Sequence, residues 1–500
     1  MNLADRNRTA LQRVFKNTSI GLLTNFSLRL LSPLLLVYAA RTLSKIEYGQ
    51  LTFALDYATV VLGLSVLGFG YGFNARMLRT GAISQEKVLW ELPNALLIMG
   101  GMYLIGSGLA LLGLNLLPTV IDNQILVAIL LLYMALSNLS GPIDSTFRSL
   151  EIFELAAIRT IAQQLVLVSL GVAALWLGFG INGLAGAFML AASVGFLIGT
   201  WMLNRRFQLA WESVQLRKWP GLWRDTFSLA VLYMFLDVYW RADSLLLGII
   251  QDATAVAVYS ASYRLIFLCS SVLNAFGLAI FPPLTRAAKE VADQGSSDKL
   301  SRMVNLVFPV TFGVGAMASI FLAALHEPLM EFLYTAKYAD AAGILNLLAP
   351  VCVFLAGRGF CNATLVAMNQ ERYTVRIFPV VVTVNVIANL ILIRLYSYWG
   401  AAAVAVGTEL ALFISYLTLL SYRMEDKSVL WLGLRATMAW GGGISAVWFG
   451  QFMVWSPISI FFSGTLVFAL LLYLFQVFSN DSIQLLLESI FLKNMFLKDK

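Results

Sequence analysis

A single histidine, His326, and three cysteines, Cys269, Cys352 and Cys361, are all that this sequence offers a metal or a disulfide. The cysteines fall within apolar stretches at no metal-ligand spacing and read as small apolar side chains. The histidine stands alone in a gap between such stretches, so no metal site is expected. No glycine-rich phosphate loop joins a strand to a helix, and no polar gap is long enough to house an ATPase. No cofactor and no catalytic residues are expected. Charge is scarce as well, with Asp, Glu, Lys and Arg making up 12% of the chain. The net charge of +7 is spread thinly along the sequence, which suits an anionic lipid leaflet and argues against a nucleic acid partner.

What the sequence has is apolar length. At 59% apolar residues and a mean hydropathy of +0.80, a water-soluble fold would leave most of that surface wet, so lipid is the expected solvent. The chain divides into about fourteen stretches, each long enough to cross a hydrocarbon core at about 1.5 Å per residue. They run Ser19 to Ala40, Leu51 to Phe73, Leu92 to Leu114, Leu126 to Phe147, Ala157 to Phe179, Ile181 to Leu203, Phe227 to Ile250, Ala255 to Phe281, Val304 to Leu325, Ala342 to Ala367, Val375 to Leu395, Ala401 to Leu420, Leu430 to Phe452 and Ile458 to Phe478. One alternate set of gaps holds nearly all the Lys and Arg, while the other holds only Arg41, Lys45, Lys337 and Arg394. By the positive-inside rule both termini are expected in the cytoplasm, with the first stretch acting as an uncleaved signal anchor.

The longest basic gap, 204–226, reads as a cytoplasmic linker carrying Arg205, Arg206, Arg217, Lys218 and Arg224 with Trp211, Trp219 and Trp223. Division there gives an N-lobe over 1–203, a C-lobe over 227–421, two further spans over 422–479 and an amphipathic cytoplasmic tail over 480–500. Laying the halves over one another at a constant offset sets Arg29 opposite Asp237 and Asp56 opposite Arg264, which is consistent with a parallel repeat but of poor identity. Clusters at Gly63, Gly68, Gly70 and Gly72 and at Gly178, Gly180, Gly183 and Gly186 predict close helix packing or tight reversal. Gly441 to Gly443 predicts either a hinge or packing.

Ionic side chains stand inside the predicted spans, among them Arg29, Asp56, Asp237, Arg241, Asp243, Arg264, Arg358 and Glu409. Each costs about 2.5 to 3.5 kcal/mol at a helix centre, which predicts that they face protein or water rather than lipid. Asp237 and Arg241, four residues apart, can pair on one helix, whereas Asp243 faces elsewhere. Arg29, Arg264 and Arg358, with Arg241, are candidate ligands for a diphosphate, whose oxygens accept bidentate hydrogen bonds from guanidinium groups. Asp56, Asp237 and Glu409 are candidate coupling sites for a proton or Na⁺, or else counter-charges to the arginines. Tyr263, with Tyr239, Trp240 and Tyr259, offers aromatic faces for a sugar, although packing is the ordinary role of such rings.

The run Arg41-Thr-Leu-Ser-Lys-Ile-Glu-Tyr-Gly-Gln, the segment Asp243-Ser-Leu-Leu-Leu-Gly leading to Val258-Tyr-Ser-Ala-Ser-Tyr-Arg264, and Phe281-Pro-Pro-Leu resemble the polysaccharide transporter family, which includes Wzx-type flippases. That family belongs with the multidrug/oligosaccharidyl-lipid/polysaccharide exporters. The resemblance implies an all-α polytopic protein with two six-helix lobes in a V around a central cavity, plus two C-terminal helices. It further implies alternating-access translocation of an undecaprenyl-diphosphate-linked oligosaccharide across the bacterial inner membrane. A polysaccharide polymerase and a chain-length regulator are the protein partners it suggests. Lipid II flippases carry cavity-facing arginines on the first and eighth spans, and Arg29 and Arg264 stand on the matching spans here. Two other readings stand beside it: a cation-coupled multidrug antiporter of the same superfamily, and a membrane polysaccharide polymerase or ligase.

Overall fold

The computed structural model describes residues 31–80, 85–114, 123–207, 214–294 and 298–478. The amphipathic tail, Arg29 and the start of the first predicted span lie outside the described residues. Among the described residues the regular structure is helical, as hydrocarbon demands of a backbone that must satisfy its own hydrogen bonds. Helix α1 is described over 31–42. It is followed by α2 (Lys45–Ser65), α3 (Phe69–Thr80), α4 (Gln85–Leu114), α5 (Gln124–Ser149), α6 (Phe153–Trp176), α7 (Gly180–Phe207) and α8 (Trp219–Ile250). Next come α9 (Ala253–Gln294), α10 (Asp298–Ala324), α11 (His326–Tyr334), α12 (Ala339–Leu348) and α13 (Pro350–Ala367). Last are α14 (Glu371–Met424), α15 (Lys427–Phe452) and α16 (Pro457–Leu474).

Every predicted stretch from Leu51 onward carries helix, but not always one unbroken helix. The second stretch is split at Val66 to Gly68, where α2 and α3 meet at a bend of 71°. Leu67 and Gly68 turn the chain there with φ of 44° and 70°. The tenth is divided into α12 and α13. The eleventh and twelfth run together as α14, turned at Ser397, where φ is 52° and ψ is −134°. Among the described residues nine helices are long and apolar enough to cross a membrane, or ten when α2 and α3 count as one broken span. The two halves differ at the break: residues 274–276, at the repeat offset from Val66 to Gly68, lie inside uninterrupted α9.

Helix ends follow local chemistry. Ser44 caps α2 by accepting from the Glu47 amide at 3.1 Å, while the Ser44 amide donates to Glu47 Oε2 at 2.8 Å. That reciprocal box was legible in Ser44-Lys-Ile-Glu47. Gly178 and Gly180, with φ of 79° and 59°, make the reversal between α6 and α7.

The chain forms two compact units, Met1–Ser260 and Ala261–Lys500, so the division falls inside α9. In the first unit α5 packs on α2, α3, α4 and α7, and α8 packs on α2 and α3. In the second, α10 packs on α13, α15 and α16. Gly443 does not break α15. A Cβ there would stand 3.0 Å from the Gly464 carbonyl oxygen, so the glycine serves the close crossing of α15 with α16.

Asp426, in the turn between α14 and α15, ties that turn to α10. Burial pushes its carboxyl upward, but hydrogen bonds from Ser301 and Ser428 outweigh burial and hold it below the ordinary 3.8. A carboxylate with a depressed folded pKa contributes stability above its unfolded pKa and loses it as pH falls through the folded value. The wild type should therefore lose melting temperature below about pH 4 more steeply than Asp426→Asn, as measured by thermal unfolding in detergent across pH.

Candidate functional site

The ionisable side chains of the spans are sorted by unit. In the first, Arg241 on α8 forms an ion pair with Asp56 on α2, with Arg241 34% and Asp56 17% exposed. Asp237, four residues back on the same helix, was a possible partner of Arg241 and interacts with it through its charge, while the neighbouring helix supplies the carboxylate that Arg241 hydrogen-bonds, because α2 and α8 approach closely. Gly248 on α8 lies flat against the Phe53 ring, which an added Cβ would meet at 2.1 Å. Asp237 accepts a hydrogen bond from the Tyr71 hydroxyl at 3.3 Å, and its Oδ2 lies where a Cβ on Gly63 would stand 3.0 Å away.

Asp237, Tyr71 and Gly63 border a small open cleft lined also by Thr59, Asn74 and Asn138, with Met99 and Tyr103. Asn138 hydrogen-bonds to Tyr103. Reading the sequence missed Tyr71, Asn74 and Asn138. The signal available was the glycine cluster at Gly63 to Gly72, which marks where backbones approach and where the helix breaks.

Deeper in the first unit, Arg159 pairs with Asp144 and donates to Gln163 Oε1 at 2.8 Å. Both partners are largely buried, so this arginine at the start of the fifth predicted stretch serves packing. Near the start of α8, Arg76 bridges Glu91 at 2.8 Å and Asp225, linking α3 to α4 and α8. Asn94 Oδ1 accepts from the Gln215 amide at 3.0 Å and from Trp219 Nε1 at 3.1 Å, which fastens the end of the 204–226 segment onto α4.

In the second unit, Arg358 on α13 donates through Nε to Glu409 Oε2 at 2.8 Å and through a terminal nitrogen to Oε1 at 3.2 Å. This fork, with Glu409 3% exposed, joins two of the sequence candidates. Beside it Asn385 donates to Thr408 Oγ1 at 2.8 Å, and Asn389 donates to Asn385 Oδ1 at 3.1 Å. Arg264 and Tyr263 are half-buried on α9. Tyr259 is buried and donates to Asp243 Oδ2 at 2.7 Å, and buried Tyr239 packs edge-on against Trp240. Tyr239 and Tyr259 are therefore packing residues. Cys269 and Cys352, on α9 and α13, are hydrogen-bonded to one another, a proximity the sequence did not reveal.

Chemically, these arrangements place fixed charge and hydrogen-bonding oxygen inside apolar helices. Among the described residues no group of three or more His, Cys, Asp or Glu is placed to hold a metal.

Comparison with known proteins places this architecture. Over 248 residues the chain is 22% identical to the probable low-salt glycan biosynthesis flippase Agl15 of Haloferax volcanii. The alignment takes in 48% of this chain, and the chain spans about half, 51%, of that relative. Its fold resembles that of the lipid II flippase MurJ in an inward closed conformation, with a TM-score of 0.65 at 13% identity over 92% of this chain and 99% of that one. An inward-facing MATE family multidrug resistance transporter of the MOP superfamily superimposes with a TM-score of 0.60 at 12% identity over 81% and 98%. With residues 14–288, more than half of its length, matching the profile described as polysaccharide biosynthesis protein, the chain belongs to that family, a polytopic membrane protein of the MOP transporter fold.

Proposed function

We propose that this protein is a flippase that carries an undecaprenyl-diphosphate-linked oligosaccharide from the cytoplasmic to the outer leaflet of the inner membrane by alternating access, coupled to a proton or Na⁺. The observation that carries this reading is the family match over residues 14–288, in a chain whose spanning helices hold ionisable side chains that lipid alone would not tolerate. A diphosphate and a glycan need such a polar path, while the polyprenyl tail can remain in lipid. Covalent chemistry is not required.

Arg29 and Arg264, with Arg241 and Arg358, are the arginines proposed for the diphosphate. Arg241 and Arg358 already hold a carboxylate, so an incoming diphosphate would have to compete with Asp56 and Glu409 for them. Glu409 and Asp56 are correspondingly proposed as counter-charges before coupling sites. Both termini are proposed to lie in the cytoplasm, and polymerase and chain-length regulator are proposed as partners.

The test is translocation of a fluorescent undecaprenyl-diphosphate oligosaccharide by the full-length protein in proteoliposomes. Arg29→Ala and Arg264→Ala should each abolish translocation without lowering insertion or abundance, and Arg264→Lys should restore it only in part, because lysine lacks the bidentate fork. Wild-type rates in both alanine variants would refute the anion assignment. Efflux of a cationic dye with no lipid translocation would favour the multidrug antiporter, with which the MATE-like fold is equally compatible.

A further inference from the structure

We propose that the two ends of α14 form a binding site for the headgroup of an anionic membrane phospholipid, whose phosphodiester is held by Arg372 and Arg423 where both stack on Tyr373. The site lies within the second unit and does not depend on the transport reading.

Two separate basic gaps supply it. Arg372 precedes the eleventh predicted stretch and Arg423 follows the twelfth, so in the sequence they register only as membrane sidedness. The turn at Ser397 folds α14 back along itself, and Tyr416 of the returning arm donates to the Thr374 carbonyl of the outgoing arm at 3.4 Å. That pairing brings the two ends together. The guanidinium carbon of Arg423 lies 3.9 Å from the centre of the Tyr373 ring, and that of Arg372 lies 4.8 Å from the same centre. Arg376 stands one turn beyond Arg372 on the same helix face.

Two cations on one ring repel until an anion joins them. Among the described residues neither guanidinium makes an ion pair, and the buried Nε of Arg423 has no hydrogen-bond partner. An unpaired donor on a charged group costs free energy that an acceptor would recover. The neighbouring Asp426 is already engaged, accepting from the Ser301 hydroxyl and the Ser428 amide. Stacking also sets direction. It occupies the face of each guanidinium and leaves the in-plane N–H groups for an oxyanion, phosphate above all.

The helix beyond selects a lipid over a soluble phosphate. Val380, Val384, Ile387 and Ile391 follow Arg376 at helical spacing on one face of α14, and all four are exposed on the protein surface. Guanidinium groups at the head of a bare apolar stripe match a molecule with a phosphate at one end and acyl chains running from it. A headgroup of net negative charge suits this pair, whereas the ammonium of a zwitterionic one is repelled by it.

The measurement is the mass of intact complexes of the purified, delipidated full-length protein in neutral detergent, titrated with phosphatidylglycerol or with phosphatidylcholine of the same acyl chains. Wild type should bind phosphatidylglycerol saturably and about tenfold more tightly than phosphatidylcholine. Arg372→Gln and Arg423→Gln should each weaken phosphatidylglycerol about fivefold, and the two together about twentyfold. Equal affinity for the two lipids, or unchanged phosphatidylglycerol affinity in the double variant, overturns the site. Glycerol 3-phosphate supplies the headgroup without the chains. It should not displace the lipid, and displacement at the lipid's own concentration would make this a soluble-phosphate site and overturn the lipid assignment. If Arg423→Gln does not fold, Arg372→Gln at its exposed position decides alone, and unchanged affinity there sinks the proposal.

Discussion

Arg358→Leu should lower the stability of the second unit by about 3 to 5 kcal/mol, because it leaves Glu409 charged, buried and deprived of its fork. Glu409→Leu should do comparable damage by orphaning the guanidinium. The double variant Arg358→Leu with Glu409→Leu should melt at or above the wild-type temperature, since replacing both ions with apolar groups removes the desolvation penalty as well as the attraction. Thermal unfolding in detergent of the four proteins gives the coupling. Additive losses, with the double variant worst of all, would mean that the pair seen at 2.8 Å is not an energetic unit. The same four proteins resolve what Arg358 does. A stable double variant that still translocates lipid-linked oligosaccharide makes the pair a clamp between α13 and α14, whereas a stable but inactive one assigns the guanidinium to the diphosphate.

Gly49→Ala should be nearly as damaging, although it adds a single methyl. The new Cβ would stand 1.8 Å from the Ala253 carbonyl oxygen and 2.6 Å from its carbon, both backbone atoms at the start of α9. No rotamer change can relieve a clash with backbone, so α2 must move away from its neighbour at a cost of about 3 kcal/mol, the upper end for an overpacked core. Gly407→Ala is the matched control, since a Cβ there meets nothing within 4 Å. It should be neutral or stabilising by about 0.5 to 1 kcal/mol, the ordinary gain of alanine over glycine in a helix. Melting temperatures that fall equally in both variants would show that helix approach at Gly49 is not what matters.

Glycine contacts of this kind explain which parts of the site could be read in advance. Asp56, Asp237, Arg241, Arg358 and Glu409 were conspicuous in the sequence because a charge in an apolar stretch is costly wherever its helix goes. Their partners were not. Arg241 had a carboxylate four residues back on its own helix and hydrogen-bonds instead to one on α2. Asn74, just past the end of a predicted span, and Asn138, in the middle of α5, were invisible because a neutral amide is commonplace in such helices until the cleft it borders is known.

Hydropathy, taken alone, determined that this chain is helical, that it is a multi-span membrane protein, and which stretches carry helix, because each residue's transfer from water to hydrocarbon is a local property; where several helices begin, break and end was not determined that way. Which helices touch, where α2 breaks, and which acid answers which arginine were decided only by tertiary packing. In a membrane the lipid-facing and protein-facing sides of a helix are both apolar, so the pattern that orients a helix in water carries little information. Close fit at small residues, such as Gly63 against Asp237 and Gly443 against Gly464, sets the neighbours in its place.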